Sequence, residues 1–284
     1  MKRLGDLGAP ARLLLFAAGI ALIGGVAALA GAATGRSTAP TASDGEMAMA
    51  AMGPEANGLA SVAGGYTLVP ARATLARGRS LFRFRILDDH GRSVTAFDED
   101  GGVQVHLIVV RRDLTAYRHV HPRLQPDGSW AVLLDVPAPG TYRAFADFEA
   151  DGRKVVLGHD LFVPGTFMPA ALAVPRAATS VDGFTVRVDH GRLRAGRESE
   201  LRFSISRNGR AVPSFDLYVG HRGHLVALRD GDLAYSHVHP HSGGAPGEIS
   251  FDTDLPSAGR YRLFLQFKVD GVVHTAPFTL EVDR

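Results

Sequence analysis

The chain of 284 residues contains no cysteine. That excludes disulfides, thiolate zinc sites, blue-copper centres and cysteine nucleophiles. A domain without such cross-links is held by its apolar core, and a hydrophobic fraction of 45% is ample for one. Lysine is nearly missing as well, with only Lys2, Lys154 and Lys268 among 31 basic residues. With so much alanine, this reads as codon bias from a G+C-rich genome and carries no function. Once Lys2, Arg3, Arg12 and Asp6 are set aside, basic and acidic residues balance. Such a chain has no electrostatic reason to bind nucleic acid. No G-x-S-x-G, Walker loop, dinucleotide fingerprint or H-E-x-x-H occurs, so no catalytic residue is assigned and no enzyme is expected.

The one long hydrophobic run lies at the start. Leu13 to Ala33 are uncharged, mostly apolar and preceded by a basic segment. Their number suits a spanning helix, which needs about 20 residues, whereas Ala30-Gly31-Ala32 suits signal cleavage. Residues 1–33 are thus a transmembrane anchor or a signal peptide, and both place the remainder outside the cytoplasm. Residues 34–64, rich in Ala, Ser, Thr, Gly and Pro, read as a flexible tether.

The rest repeats itself. AYRHVHP ends at Pro122 and AYSHVHP ends at Pro240, 118 residues later. His106 precedes His119 by 13 residues, as His224 precedes His237. PGTYRAFADFEADG (139–152) likewise matches AGRYRLFLQFKVDG (258–271). Short apolar or alternating runs such as LFRFRIL (81–87), VQVHLIVV (103–110) and WAVLLDVP (130–137) read as strands. Asp127-Gly128, Asp151-Gly152, Asn208-Gly209 and Asp270-Gly271 mark turns between strands. The expected fold is all-β: two tandem immunoglobulin-like β-sandwiches, 65–165 and 181–284, with a Pro- and Ala-rich linker at 166–180. Trp130 is expected in the core or at a strand edge, not as a ligand-stacking platform.

The closing hairpin is P-G-T-Y…D-G…F-x-V in the first unit: Pro139, Gly140, Tyr142, Asp151, Gly152, Phe162 and Val163. Gly259, Tyr261, Asp270 and Gly271 repeat it in the second. This ending resembles the periplasmic copper-binding CopC-like and YtkA-like sandwiches over about the last third of each unit. The resemblance implies a β-sandwich outside the cytoplasm and suggests copper. Those proteins usually carry a histidine after the D-G, where this chain has Arg153 and Val272, so their copper site is not transferred.

A candidate site comes from the histidines themselves. In a strand, residues i and i+2 share a face about 6.5–7 Å apart, so His119 and His121 project side by side. His106, on the strand before, joins them if the hairpin register puts it on that face. Three neutral imidazoles on adjacent strands suit Cu(II) or Zn(II). The expected metal ligands are His106, His119 and His121 in one unit and His224, His237 and His239 in the other. His221 and His241 flank the second set and favour it as the stronger site. Proton competition should weaken binding near pH 6.5. Met47, Met49 and Met52 in the tether are thioethers, which suit Cu(I). His90 and His190, in D-H-G turns, are read as structural residues at positive φ.

Two functions follow. The first is an extracytoplasmic metal-binding protein, with copper favoured and zinc the alternative, that buffers, senses or delivers metal. Its partners are the ion, the membrane through the N-terminal helix, and an envelope metal transporter or other envelope protein. The second is a non-enzymatic adhesion or scaffold module whose histidines are structural.

Overall fold

The computed structural model describes residues 57–236 and 238–284; the side chain of His239 is also left undescribed. The expected N-terminal helix and the Met47, Met49 and Met52 cluster lie outside the described residues. Among those described there is no α-helix, and no helix is long and apolar enough to cross a membrane.

The first repeat forms β1 (Val62–Ala63), β2 (Tyr66–Pro70), β3 (Gly78–Leu87), β4 (His106–Arg111), β5 (Arg118–Val120), β6 (Arg123–Leu124), β7 (Trp130–Val136), β8 (Gly140–Ala150) and β9 (Arg153–Val163). These pair as two antiparallel sheets, β1-β2-β3-β7-β6 and β5-β4-β8-β9. The second repeat forms β10 (Ala178–Val181), β11 (Phe184–His190), β12 (Glu198–Arg207), β13 (Arg210–Ala211), β14 (Gly223–Arg229), β15 (Tyr235–Ser236), β16 (Val238–Pro240), β17 (Glu248–Asp254), β18 (Gly259–Val269) and β19 (Val272–Val282). Its sheets, β10-β11-β12-β17-β16 and β15-β14-β18-β19, repeat the same arrangement, with β13 added beside β12. The chain crosses between the sheets after β3, β5 and β7, and again after β13, β15 and β17, in the immunoglobulin-like manner.

Alternation builds each core. Phe82, Phe84 and Ile86 on β3 point inward against Leu107 and Val109 on β4 and against Ala144, Ala146 and Phe148 on β8. Phe203, Leu225, Leu263, Leu265 and Phe267 occupy the matching core of the second sandwich. Trp130 is 3% exposed in the first core. Tyr142 and Tyr261, at the starts of β8 and β18, donate their hydroxyls to the carbonyls of Ala138 (2.8 Å) and Ser257 (3.0 Å). This is the tyrosine corner of immunoglobulin-like sandwiches. Tyr142→Phe should leave the fold intact and cost about 1 kcal/mol, read from urea unfolding, because one buried hydrogen bond is lost.

Turn chemistry follows the sequence at Asp151-Gly152, Asn208-Gly209 and Asp270-Gly271, where both residues of each pair take positive φ, as type I′ hairpins require. The expectation for His90 and His190 is corrected. Neither has a positive φ; Gly91 takes it at 75°, and His190 ends β11. A glycine was available at the demanding position, so the imidazole was not needed there.

The alternation on β4 has a second consequence. Ile108 and Val110 face away from their own core, as do Phe145 on β8 and Val156 on β9. They pack against Val226 and Leu228 on β14, Phe264 on β18 and Tyr235 on β15. The two four-stranded sheets therefore meet across an apolar joint, and β4 and β14 are buried on both faces. Tyr117 stacks on Phe264 (ring centroids 4.0 Å, 11° between planes), and Tyr235 donates to Asp147 Oδ2 at 2.9 Å across the same joint.

Candidate metal centre

The histidines sit on the joint-facing side of these strands. The register pairs Leu107 with Val120 and Ile108 with His119. This places His106, Ile108 and Val110 on the same face as His119 and His121. Parity along β14 likewise sets His224 with Val226 and Leu228 toward the joint. Four imidazoles thus gather where the sandwiches meet. His119 is the hub, its ring centroid 4.3 Å from His224, 4.9 Å from His121 and 5.2 Å from His106. His106 also stacks on His224 at 5.6 Å.

Hydrogen bonds set the protons. Gln266, on β18 of the second sandwich, donates its amide to Thr275 Oγ1 (3.3 Å), which turns Oε1 toward His119 Nδ1 at 2.7 Å. An amide oxygen only accepts, so Nδ1 carries the hydrogen and Nε2 of neutral His119 is a bare lone pair. That lone pair accepts from His106 Nδ1–H at 2.9 Å, leaving His106 Nε2 bare in turn. Among the described residues, His106 Nε2, His121 Nε2 and His224 Nδ1 are buried without a hydrogen-bond partner. Buried nitrogens are rarely left so. One ring nitrogen from each of His106, His119 and His121 falls within a 4.8 Å span.

The electrostatics favour bare nitrogen. Burial, reinforced by neighbouring imidazoles, lowers the pKa of His106 and of His119 to about 3. His224 is pushed well below the usual histidine range by the same causes, and burial lowers His121. The expected loss of binding near pH 6.5 is therefore corrected: desolvation keeps these rings deprotonated to lower pH. A transition ion needs neutral imidazole, and a buried all-nitrogen donor set suits Cu or Zn. Gln266 fixes the tautomer of His119, the place an outer-shell partner would take if the ring held an ion.

The remaining candidates divide. His221 lies at the edge of the joint with Nε2 3.3 Å from Asp100 Oδ1. His241 is bound by Asp252 Oδ2 (2.6 Å) and Ser250 Oγ (3.1 Å) and is outside the cluster. His237 and the side chain of His239 lie outside the described residues. Asp98 and Asp216 accept the main-chain N–H of Gly152 and Gly271 at the closing turns (3.1 and 2.7 Å). Sequence reasoning put His119 and His121 on one face, left His106 to the register, and treated each sandwich as a separate site. It missed Gln266 and Tyr218, whose hydroxyl lies 3.4 Å from His119 Nδ1.

The chain is thus a tandem all-β protein with buried imidazoles in the joint between its sandwiches. The family described as "Domain of unknown function (DUF8832)" matches residues 60–165 and again 179–284, and the chain belongs to that family. The family match does not name the CopC-like or YtkA-like sandwiches. None of the curated proteins compared with the chain matches it. Among solved structures it is similar to the Escherichia coli adhesin FdeC, at 14% identity over 77% of this chain and 64% of that one, TM-score 0.25. It is also similar to the Lin-41 filamin domain, at 14% identity over 39% of this chain and 99% of that one, TM-score 0.28. For the bacterial integrin-binding protein invasin the identity is 11% over 76% of this chain and 38% of that one, TM-score 0.25. The chain spans less than two thirds of the FdeC and invasin structures. Scores this low fix neither its fold nor its role.

Proposed function

We propose that this is a non-enzymatic, extracytoplasmic metal-binding protein that holds one transition ion, copper in preference to zinc, at the joint between its sandwiches. His106, His119 and His121 are the ligands, with His224 beside them. One observation carries the reading: the three imidazoles each bring a nitrogen within a 4.8 Å span, where His106 Nε2 and His121 Nε2 are buried without a partner. Leaving such groups unpaired costs about 1–3 kcal/mol each, which an ion recovers. His237 and His239 extend the proposal to the second repeat; His241, held by Asp252 and Ser250, does not. Buffering, sensing or delivery of metal beside an envelope transporter, with the N-terminal segment as anchor, fits the sequence pattern.

A second reading, an adhesion or scaffold module, has its own support. His119 is hydrogen-bonded at both nitrogens, once across the joint to Gln266, so the cluster also works as a structural lock. Titration of the full chain with Cu(II) and with Zn(II), followed by calorimetry, separates the two. The metal reading expects saturable uptake that His119→Ala and His121→Ala each weaken by at least about tenfold, the scale on which even outer-shell partners of a metal act. Heats no larger than those of a histidine-poor sandwich would leave the scaffold reading standing.

A further inference from the structure

Two equivalent turns meet at the mouth of the joint, and they have diverged. In the first repeat the turn is Asp100-Gly101-Gly102-Val103, closed by Asp100 N–H to Val103 O (2.9 Å) and Val103 N–H to Asp100 O (3.0 Å). In the second it is Tyr218-Val219-Gly220-His221, closed the same way at 2.7 and 3.2 Å. The first uses glycine at both central positions, with φ of 58° and 81°. The second keeps the conformation with Val219 at φ 51°, where a β-branched residue is strained by about 1–3 kcal/mol.

The strained turn is held in place by its neighbours. A Cβ on Gly101 would lie 2.2 Å from the carbonyl carbon of Val219, so the bare glycine is the seat on which the second turn rests. Seated there, Tyr218 lays its ring against His119 and His121 (centroids 5.8 and 6.1 Å). His221 Nε2 stands 3.3 Å from Asp100 Oδ1, with their side chains 41% and 44% exposed. His221 is also near enough to His106 and His224 to act on both electrostatically. Its equivalent in the first repeat is Val103, and the equivalent of Asp100 is Tyr218. The nitrogen–oxygen pair across the joint therefore arises from divergence and is not a duplicated feature.

We infer that His221 and Asp100 form the entry station of the metal site: a solvent-facing nitrogen and carboxylate that take the ion first and pass it inward past Tyr218 to the buried imidazoles. This rests on the metal reading above. A carboxylate at the mouth raises the local concentration of a cation, and His221 replaces part of its water shell before the apolar joint is crossed. The strained turn that carries Tyr218 and His221 is the piece that yields.

Stopped-flow mixing of the full chain with Cu(II), followed by quenching of tyrosine fluorescence, tests this. His221→Ala and Asp100→Asn should each slow association by about tenfold. Dissociation should slow in proportion, because an ion leaves by the door it enters, so the equilibrium affinity stays within about twofold. His221 and Asp100 are half exposed, and unchanged urea midpoints of the metal-free variants would show that folding is intact. An unchanged association rate in both variants would overturn the entry station. So would lost affinity with unchanged association, which would make His221 a ligand of the final site. Absence of any Cu(II) uptake by the unaltered chain is a different result, and it removes the metal reading itself.

Discussion

Acid should unfold the metal-free protein well above the pH at which its ordinary carboxylates protonate. His106 and His119 stay neutral in the folded state until about pH 3, while in the unfolded chain they titrate near about 6.5. Below pH 6.5 the unfolded state therefore takes up protons that the folded state refuses, and stability falls with each step down in pH. Each such histidine contributes about 1.4 kcal/mol per pH unit, and His224, depressed in the same direction, adds to it. Asp147 works the other way. Desolvation raises its pKa from 3.8 to about 6, so between those values the folded state gains a proton and recovers about one histidine's share. The net expectation is a loss of roughly 1.5–3 kcal/mol per pH unit between pH 6 and 4. Against a typical total of about 5–15 kcal/mol this is large. Urea midpoints at pH 7, 6, 5 and 4.5 measure it; level midpoints would mean that the imidazoles meet water and that the joint is open.

Gly101→Ala should damage the same joint from its backbone. The added Cβ would sit 2.2 Å from the carbon and 2.3 Å from the oxygen of the Val219 carbonyl, and Gly101 itself has φ 58°. Main-chain atoms cannot swing aside as a long side chain can, so the two turns must part. The strain at positive φ and the overlap together cost roughly 2–4 kcal/mol. Moving Val219 also carries Tyr218 away from His119 and His121, so Cu(II) affinity should fall together with the urea midpoint. Gly102→Ala is the control: it shares a positive φ, yet no atom lies within 4 Å of its added Cβ. It should cost only about 1 kcal/mol and leave affinity unchanged. Equal effects from the two variants would contradict the seat assigned to Gly101.

Much of this was legible in the residues. The repeat, the D-G and N-G turns and the paired H-x-H face all follow from period-2 alternation and turn chemistry, which act locally. The joint was not inferred, although it left a signal. His106-Leu107-Ile108-Val109-Val110 is continuously apolar after its histidine, and such a run marks a strand buried on both faces. Alternation alone would have covered only the sandwich core; the extra apolar residues required a second sheet against them. Taking that step would have brought His224 to the first trio. The partner sheet's contributions, Gln266 and Tyr218, depend on how two non-local surfaces meet, and no local pattern encodes them. The meeting of Asp100 with His221 is of the same kind: each is unremarkable in its own turn and acquires a role only across the joint.

X-ray absorption at the metal edge, on full chain loaded with one equivalent of Cu(II) or Zn(II), reads the ligands of the joint themselves. Three or four imidazole nitrogens at about 2.0 Å are expected, with multiple-scattering features of histidine that diminish in His106→Ala. A first shell of oxygen alone, or a spectrum that His106→Ala, His119→Ala and His121→Ala all leave unchanged, would contradict the metal reading.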